Sequence, residues 1–232
     1  MKVAIMQPYF FPYIGYWQLL HAADTFVIYD DVNYIKGGWV NRNRLLENGQ
    51  PAYFNVLLKD ASPNKHINEI ARIEDCRTEQ KLLRRIKTCY EKAPFFKQIY
   101  PIIESLITLE EEKLAKYLTA TIVTMAQALE IEVNFELSSE IDKNSRYKGQ
   151  DRILHICSEL GADMYCNAIG GQKLYNREVF KQNNINLFFL KTDTFSYPQF
   201  KNEFVPALSI IDVLMFNGIE KTREYLKLYT MV

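Results

Sequence analysis

At 232 residues, with 48% hydrophobic side chains, the chain is long enough for one large or two small domains around a real core, which excludes global disorder. Its 28 basic and 28 acidic residues cancel, so neither a nucleic-acid partner nor an anionic membrane surface is indicated. No run of about 18 apolar residues offers a membrane span.

The four cysteines show no CxxC spacing and read as reduced, buried thiols of a cytoplasmic protein. The first apolar run is short and meets Gln7-Pro8, so no signal peptide is expected. Three histidines without HExxH or paired spacing argue against a zinc site, and no metal ligands are assigned.

In chain order, Val3 to Met6 reads as a strand, followed by a turn rich in Pro, Tyr and Phe. A helix then carries Tyr16, Leu19, Leu20 and Ala23 at buried-stripe spacing. A second strand from Phe26 ends on Asp30-Asp31. Strand, helix and strand of this size favour parallel pairing with a right-handed crossover. Asn33 to Arg44 reads as a Gly-, Asn- and Arg-rich loop, and Tyr53 to Leu58 as a strand.

Residues 76–130 read as a helical insertion. Thr78 is taken as the cap of its first helix, Pro94 as the start of its second, and Glu110, Glu111 and Glu112 as the first turn of its third. Strands are expected at Val133–Leu137, Asp163–Cys166 and Leu187–Leu190, and helices at Lys148–Leu160 and Leu174–Gln182. A helical region opens near Ser209, which pairs with Asp212 as a capping box. The whole is expected to be α/β: a mostly parallel sheet domain, from 1–75 and 131–232, with flanking helices.

Ligands of such sheets bind beyond the carboxyl ends of the strands. Those ends carry Gln7, Tyr9, Asp30 and Asp31. Adjacent carboxylates on an extended chain point to opposite sides, so one at most is expected in a site. Asp30 could meet a sugar hydroxyl, an amine or a water-bound magnesium ion; a plain polar strand end is the alternative. Gly15 permits close backbone approach to a ligand. Arg42 and Arg44 would share one side of an extended segment and Asn41 and Asn43 the other. This loop, with Lys36, could clamp a diphosphate, or be a basic surface loop. Lys148, Asp151, Arg152 and His155 share a polar helix face. Asn167, Gly170, Gly171 and Tyr175 follow a strand end, where the glycine N–H groups could form an anion nest.

The segment Tyr13-Ile14-Gly15-Tyr16 resembles the HxGH-type motif of the nucleotidylyltransferase and pantothenate-synthetase-like superfamily, with tyrosine in place of both histidines. The segments MQPYFFPYIGYWQLL, YDDVNYIKGGWVNRNR, KGQDRILHIC, GADMYCNAIGGQKLY and LSIIDVLMFNG are together similar to the WbqC-like proteins of bacterial surface-polysaccharide clusters. The resemblance implies a HUP- or Rossmann-like fold. It further implies an amide-forming transferase that adds an aminoacyl, for example glycyl, or acyl group to the amine of a nucleotide-linked amino sugar in O-antigen biosynthesis. A non-catalytic sugar-nucleotide-binding or assembly protein is the alternative.

Under this reading Asp30, Lys36 and Tyr16 are the catalytic candidates, with Asp30 as general base. Gln7, Tyr9, Tyr13, Gly15, Asn41, Arg42, Lys148, Asp151, Asn167, Gly170, Gly171 and Tyr175 are the binding candidates. The partners would be the nucleotide-linked sugar and a small acyl or amino-acid donor. ATP with magnesium, a preactivated donor and a homodimer all stay open.

Overall fold

The computed structural model describes residues 1–141 and 146–232. Strands β1 (Lys2–Met6), β2 (Thr25–Ile28), β7 (Asn134–Leu137), β8 (Met164–Ala168), β9 (Asn186–Thr192) and β10 (Tyr229–Met231) form a six-stranded sheet. Its order is β10-β9-β8-β1-β2-β7, and every pairing is parallel except β10 against β9. This is the expected Rossmann-like α/β architecture. The central strands are near-continuous apolar runs because both sheet faces are covered. Val3, Ile5 and Val27 face a cluster built with Ile153, Ile156 and Phe180, while Ala4, Phe26 and Ile28 face a larger core.

Helix α1 (Ile14–Ala22) joins β1 to β2 and buries Tyr16, Trp17, Leu19 and Leu20. Two small antiparallel pairs follow, β3 (Arg42–Glu47) with β4 (Gln50–Asn55), and β5 (Leu58–Lys59) with β6 (Ala71–Arg72). The expected single strand at 53–58 is therefore two strands, each in a hairpin-like pair outside the main sheet.

Helices α2 (Cys76–Tyr90), α3 (Phe96–Ile107) and α4 (Leu114–Ala128) come next. Leu83, Ile86, Ile103, Leu118 and Ile122 bury their side chains in the same core as α1 and β2. Asp75, not Thr78, caps α2, and its carboxylate accepts the N–H groups of Arg77 and Thr78. α3 starts two residues after Pro94. Glu110 to Glu112 precede α4 rather than opening it, because their backbone is used elsewhere: the Glu112 carbonyl accepts the Arg72 N–H at 2.8 Å.

After β7 a short helix, α5 (Ser138–Ile141), precedes α6 (Gly149–Glu159). A 3₁₀ turn at Ile169–Leu174 leads to α7 (Arg177–Gln182), shorter than the pattern suggested. The last helix, α8 (Ile210–Tyr225), kinks at Gly218, where φ is +69° and a Cβ would lie 2.6 Å from the Phe95 ring. That position requires glycine both for the left-handed backbone and for the space.

Ser209 caps α8 and accepts the Ile211 N–H at 3.3 Å. Asp212 does not reach back to it. Its buried carboxylate instead accepts hydrogen bonds from the Tyr90 hydroxyl (2.9 Å), the Tyr197 hydroxyl (2.7 Å) and the Gln199 amide (2.7 Å). Gln199 in turn brackets both backbone groups of Val205. This network fastens the irregular strap between β9 and α8 to the core.

Candidate functional site

The carboxyl edge of the sheet gathers the polar groups. After Ile28 the chain leaves β2 and turns, with the Asp30 N–H on the Ile28 carbonyl at 3.0 Å. Asp30 is only 3% exposed. Its Oδ1 accepts from Ser138 Oγ and the Ser139 N–H, both at 3.1 Å. Its Oδ2 accepts from Ser139 Oγ at 2.8 Å and Asn68 Nδ2 at 3.2 Å. Four neutral donors therefore occupy the lone-pair positions of one buried carboxylate.

Asp31 takes another path. Its side chain is paired by Arg152, which also donates to the Asp31 carbonyl at 3.3 Å and lies 5.2 Å from the Tyr29 ring centre. The two carboxylates diverge in their main partners, as an extended chain would dictate. They meet at Ser138, whose hydroxyl accepts the Asp30 N–H at 3.2 Å and lies within hydrogen-bond reach of Oδ1 of both aspartates. The single Ser138 hydroxyl proton thus bridges the two carboxylates. Of the two, only Asp30 lines a cleft, as expected of adjacent carboxylates on an extended chain; Asp31 stays with Arg152, and the two share only the Ser138 hydroxyl.

Asp30 forms part of the wall of a cleft of about 490 Å³ lined also by Asn68, Lys113, Ala115, Lys116, Thr119, Ala120, Leu137, Ser139 and Glu140. It lies between the ends of β2 and β7 and the first turns of α4. Lys113 and Lys116 are exposed and carry the positive charge of one wall. The Thr119 hydroxyl is enclosed and has no hydrogen-bond partner among the described residues. The cleft thus combines cations, a fixed anion, hydroxyls and an apolar strip.

The β1–α1 turn behaves differently from the resembled motif. Tyr16 is buried and donates to the Gln7 carbonyl at 3.0 Å. A Cβ on Gly15 would stand 2.5 Å from the Tyr13 ring and 2.9 Å from Thr192 Oγ1. The glycine therefore admits Tyr13 and Thr192 rather than a phosphate, and the four residues offer no cradle for ATP. Among the described residues, no group of three or more His, Cys, Asp or Glu side chains is placed to hold a metal ion.

Arg42 and Arg44 do share a side, and both lie over Trp39, at 6.0 and 5.5 Å. Arg42 is further held by the Tyr53 ring at 4.6 Å and by the Gly37 and Gly38 carbonyls. Asn41 accepts from the Tyr34 hydroxyl at 2.8 Å and donates to the Val56 carbonyl at 3.0 Å, so its side chain braces the loop. Lys36 is exposed on the turn beside it.

Asn167 donates to the hydroxyls of Tyr165 (2.7 Å) and Tyr175 (3.2 Å) at the end of β8. Gly170 and Gly171 lie in the 3₁₀ turn that follows. Lys148 and Asp151 are exposed at the start of α6, whereas Arg152, one residue on, turns inward to Asp31.

Sequence reasoning placed Arg152 on a polar face but passed over its role. It missed Ser138 and Ser139, although the strand-end rule that found Asp30 applies equally to β7. Asn68, Lys113 and Thr119 carried no comparable signal.

The family model of the WbqC-like proteins matches residues 7–224. The chain belongs to the WbqC-like protein family. It is also 26% identical over 228 residues to a Mycobacterium tuberculosis (strain H37Rv) protein named Uncharacterized protein Rv1507c, covering 97% of each chain. No solved structure matches the chain. Among the described residues, no helix is long and apolar enough to cross a membrane.

Proposed function

We propose that this protein is a transferase of bacterial surface-polysaccharide (O-antigen) biosynthesis, forming an amide on the amine of a nucleotide-linked amino sugar with an aminoacyl or acyl donor. The observation that carries the reading is the cleft in which a fixed, buried Asp30 carboxylate is combined with Lys113 and Lys116. Cations suit the phosphates of a sugar nucleotide, and hydroxyl and amide groups suit a sugar ring. The acceptor's ammonium sits against Asp30. It loses one proton to solvent; its nitrogen then attacks the donor carbonyl, the carbonyl–leaving-group bond breaks, and the second N–H proton departs with the leaving group.

With four donors already on its oxygens, Asp30 is suited to holding the ammonium by charge, which narrows the expected general-base role to a positioning one. The same observation favours a second reading, a sugar-nucleotide-binding module without chemistry of its own.

Thermal melts of the purified protein with UDP-, dTDP- and GDP-linked amino sugars test both. A ligand at about 100 times its Kd adds roughly 2.7 kcal/mol, which for a domain of this size raises Tm by about 5–11 °C. Mass spectrometry with thioester and aminoacyl donors then separates the enzyme from the module. Silence with every nucleotide sugar would end both readings.

A further inference from the structure

A second, smaller cavity of about 150 Å³ lies between the β1–α1 turn, β3 and the strap before α8, lined by Tyr9, Tyr13, Trp39, Asn43, Arg44 and Ala207. Its chemistry is one-sided. Asn43 is used up: its amide donates to the Phe10 and Phe11 carbonyls and its Oδ1 accepts the Arg44 N–H. The Ala207 carbonyl accepts one Arg44 Nη at 2.8 Å.

What is left is a set of donors. The Arg44 guanidinium is fixed by that carbonyl and the Trp39 ring, and its enclosed Nε–H has no partner among the described residues. Tyr9 and Tyr13 are adjacent and mostly buried, and among the described residues no protein group hydrogen-bonds either hydroxyl. Burial raises both phenols, Tyr9 to about 12, so both keep their protons and donate. No acidic side chain lines the cavity. Of these donors the Arg44 Nε–H is fully enclosed, and a buried donor without an acceptor calls for an explanation in a folded protein.

We propose that this cavity binds a small organic carboxylate, with its anionic group on Arg44 and the Tyr9 and Tyr13 hydroxyls and its short tail against the Trp39 ring. The volume excludes a nucleotide, since pockets for molecules of that size run from about 300 Å³ upwards. One guanidinium with two neutral phenols balances a single negative charge, whereas a phosphate dianion would remain undercompensated. This binding does not depend on the transfer reaction proposed above.

The chain has two tryptophans, of which Trp17 is fully buried and Trp39 is 38% exposed, so ligand-dependent fluorescence reports on the cavity wall. Intact protein is titrated with acetate, glycine and lactate, and in parallel with acetamide, glycinamide, chloride and inorganic phosphate at matched ionic strength. At least one carboxylate should give a saturable change that its amide and chloride do not. Arg44→Gln should weaken it at least tenfold, about 1.4 kcal/mol, with an unchanged melting curve. Tyr13→Phe, which removes only a hydroxyl, should weaken it by a smaller factor and serves if Arg44→Gln fails to fold.

Equal responses to carboxylate and amide, wild-type binding by the variants, or saturation by phosphate alone would overturn the assignment. No acceptor sugar is present, so such a failure leaves the transfer reading standing. A failed nucleotide-sugar melt would likewise leave this site standing.

Discussion

Replacing Asp212 by alanine should be among the most damaging single changes in the chain. Its carboxylate holds three donors in a site with no solvent, and Tyr90 has no freedom to turn away because its hydroxyl also accepts the Leu46 N–H at 2.8 Å. Each hydrogen bond to a charged group contributes about 1.5–3 kcal/mol. Three would sum to more than is lost, because removing a buried carboxylate also removes its desolvation cost. Broken buried networks of this kind cost about 3–5 kcal/mol. For a domain of this size that lowers Tm by roughly 6–20 °C. Tyr197→Phe removes one of the three bonds and should cost about 1.5–3 kcal/mol.

The pH dependence follows from the same burial. Burial raises the Asp212 pKa above the usual 3.8, and the three hydrogen bonds only partly oppose this. The folded state therefore binds its proton more tightly than the unfolded chain. The stability it contributes is complete below that usual value and is lost as pH rises through the raised one. Asp212→Asn does not titrate, so the wild-type advantage over it should shrink as pH rises from 4 towards neutrality. Thermal or urea melts of the two proteins at several pH values measure this. A difference that stays flat across the range, or an Asp212→Ala protein that melts with the wild type, would refute the reasoning.

The cleft predicts that Asp30→Asn, which keeps volume and removes charge, lowers affinity for an amino-sugar nucleotide at least tenfold, about 1.4 kcal/mol, through loss of the charge attraction alone. Calorimetry checks it, and unchanged affinity would remove Asp30 from the recognition of the amine. Gly15→Ala should cost about 1–3 kcal/mol by overpacking against Tyr13 and Thr192, read as a drop in Tm. Cys157 and Cys166 are buried, with thiols pushed up to about 12 and about 11; a thiol reagent on native protein should label exposed Cys76 first and these two only on unfolding.

What the sequence made legible was what local rules control. Apolar runs of both-face-covered strands and the spacing of Tyr16, Leu19 and Leu20 were enough to place β1, α1 and β2, and strand alternation with helices was enough for a parallel sheet. Asp30 was found because a strand end is a topological position visible in one dimension. The errors arose where a partner distant in sequence decides. Glu110 to Glu112 look like a helix start until Arg72, itself buried, takes the Glu111 and Glu112 carbonyls. Asp212 looks like a capping partner until Tyr90, 122 positions away, claims its carboxylate.

The same distinction explains why the chemistry was harder to read than the fold. Each candidate loop was judged by its own residues, yet the function of a side chain is fixed by which of its hydrogen bonds remain unmade. Asn41 and Asn43 are as polar as any ligand-binding pair, but both are fully engaged in holding the loop. Tyr9 and Tyr13 come from a turn that could equally have been an aromatic corner, and they stand out only because, among the described residues, no protein group accepts their protons. Asp30 shows the opposite extreme, a carboxylate whose oxygens are already occupied by its neighbours and so held in place. A fixed anion in one cleft and a set of donors in another, both at the carboxyl edge of one parallel sheet, are the features on which the two proposals above rest. A measured dependence of one ligand's affinity on the other would tie the two together.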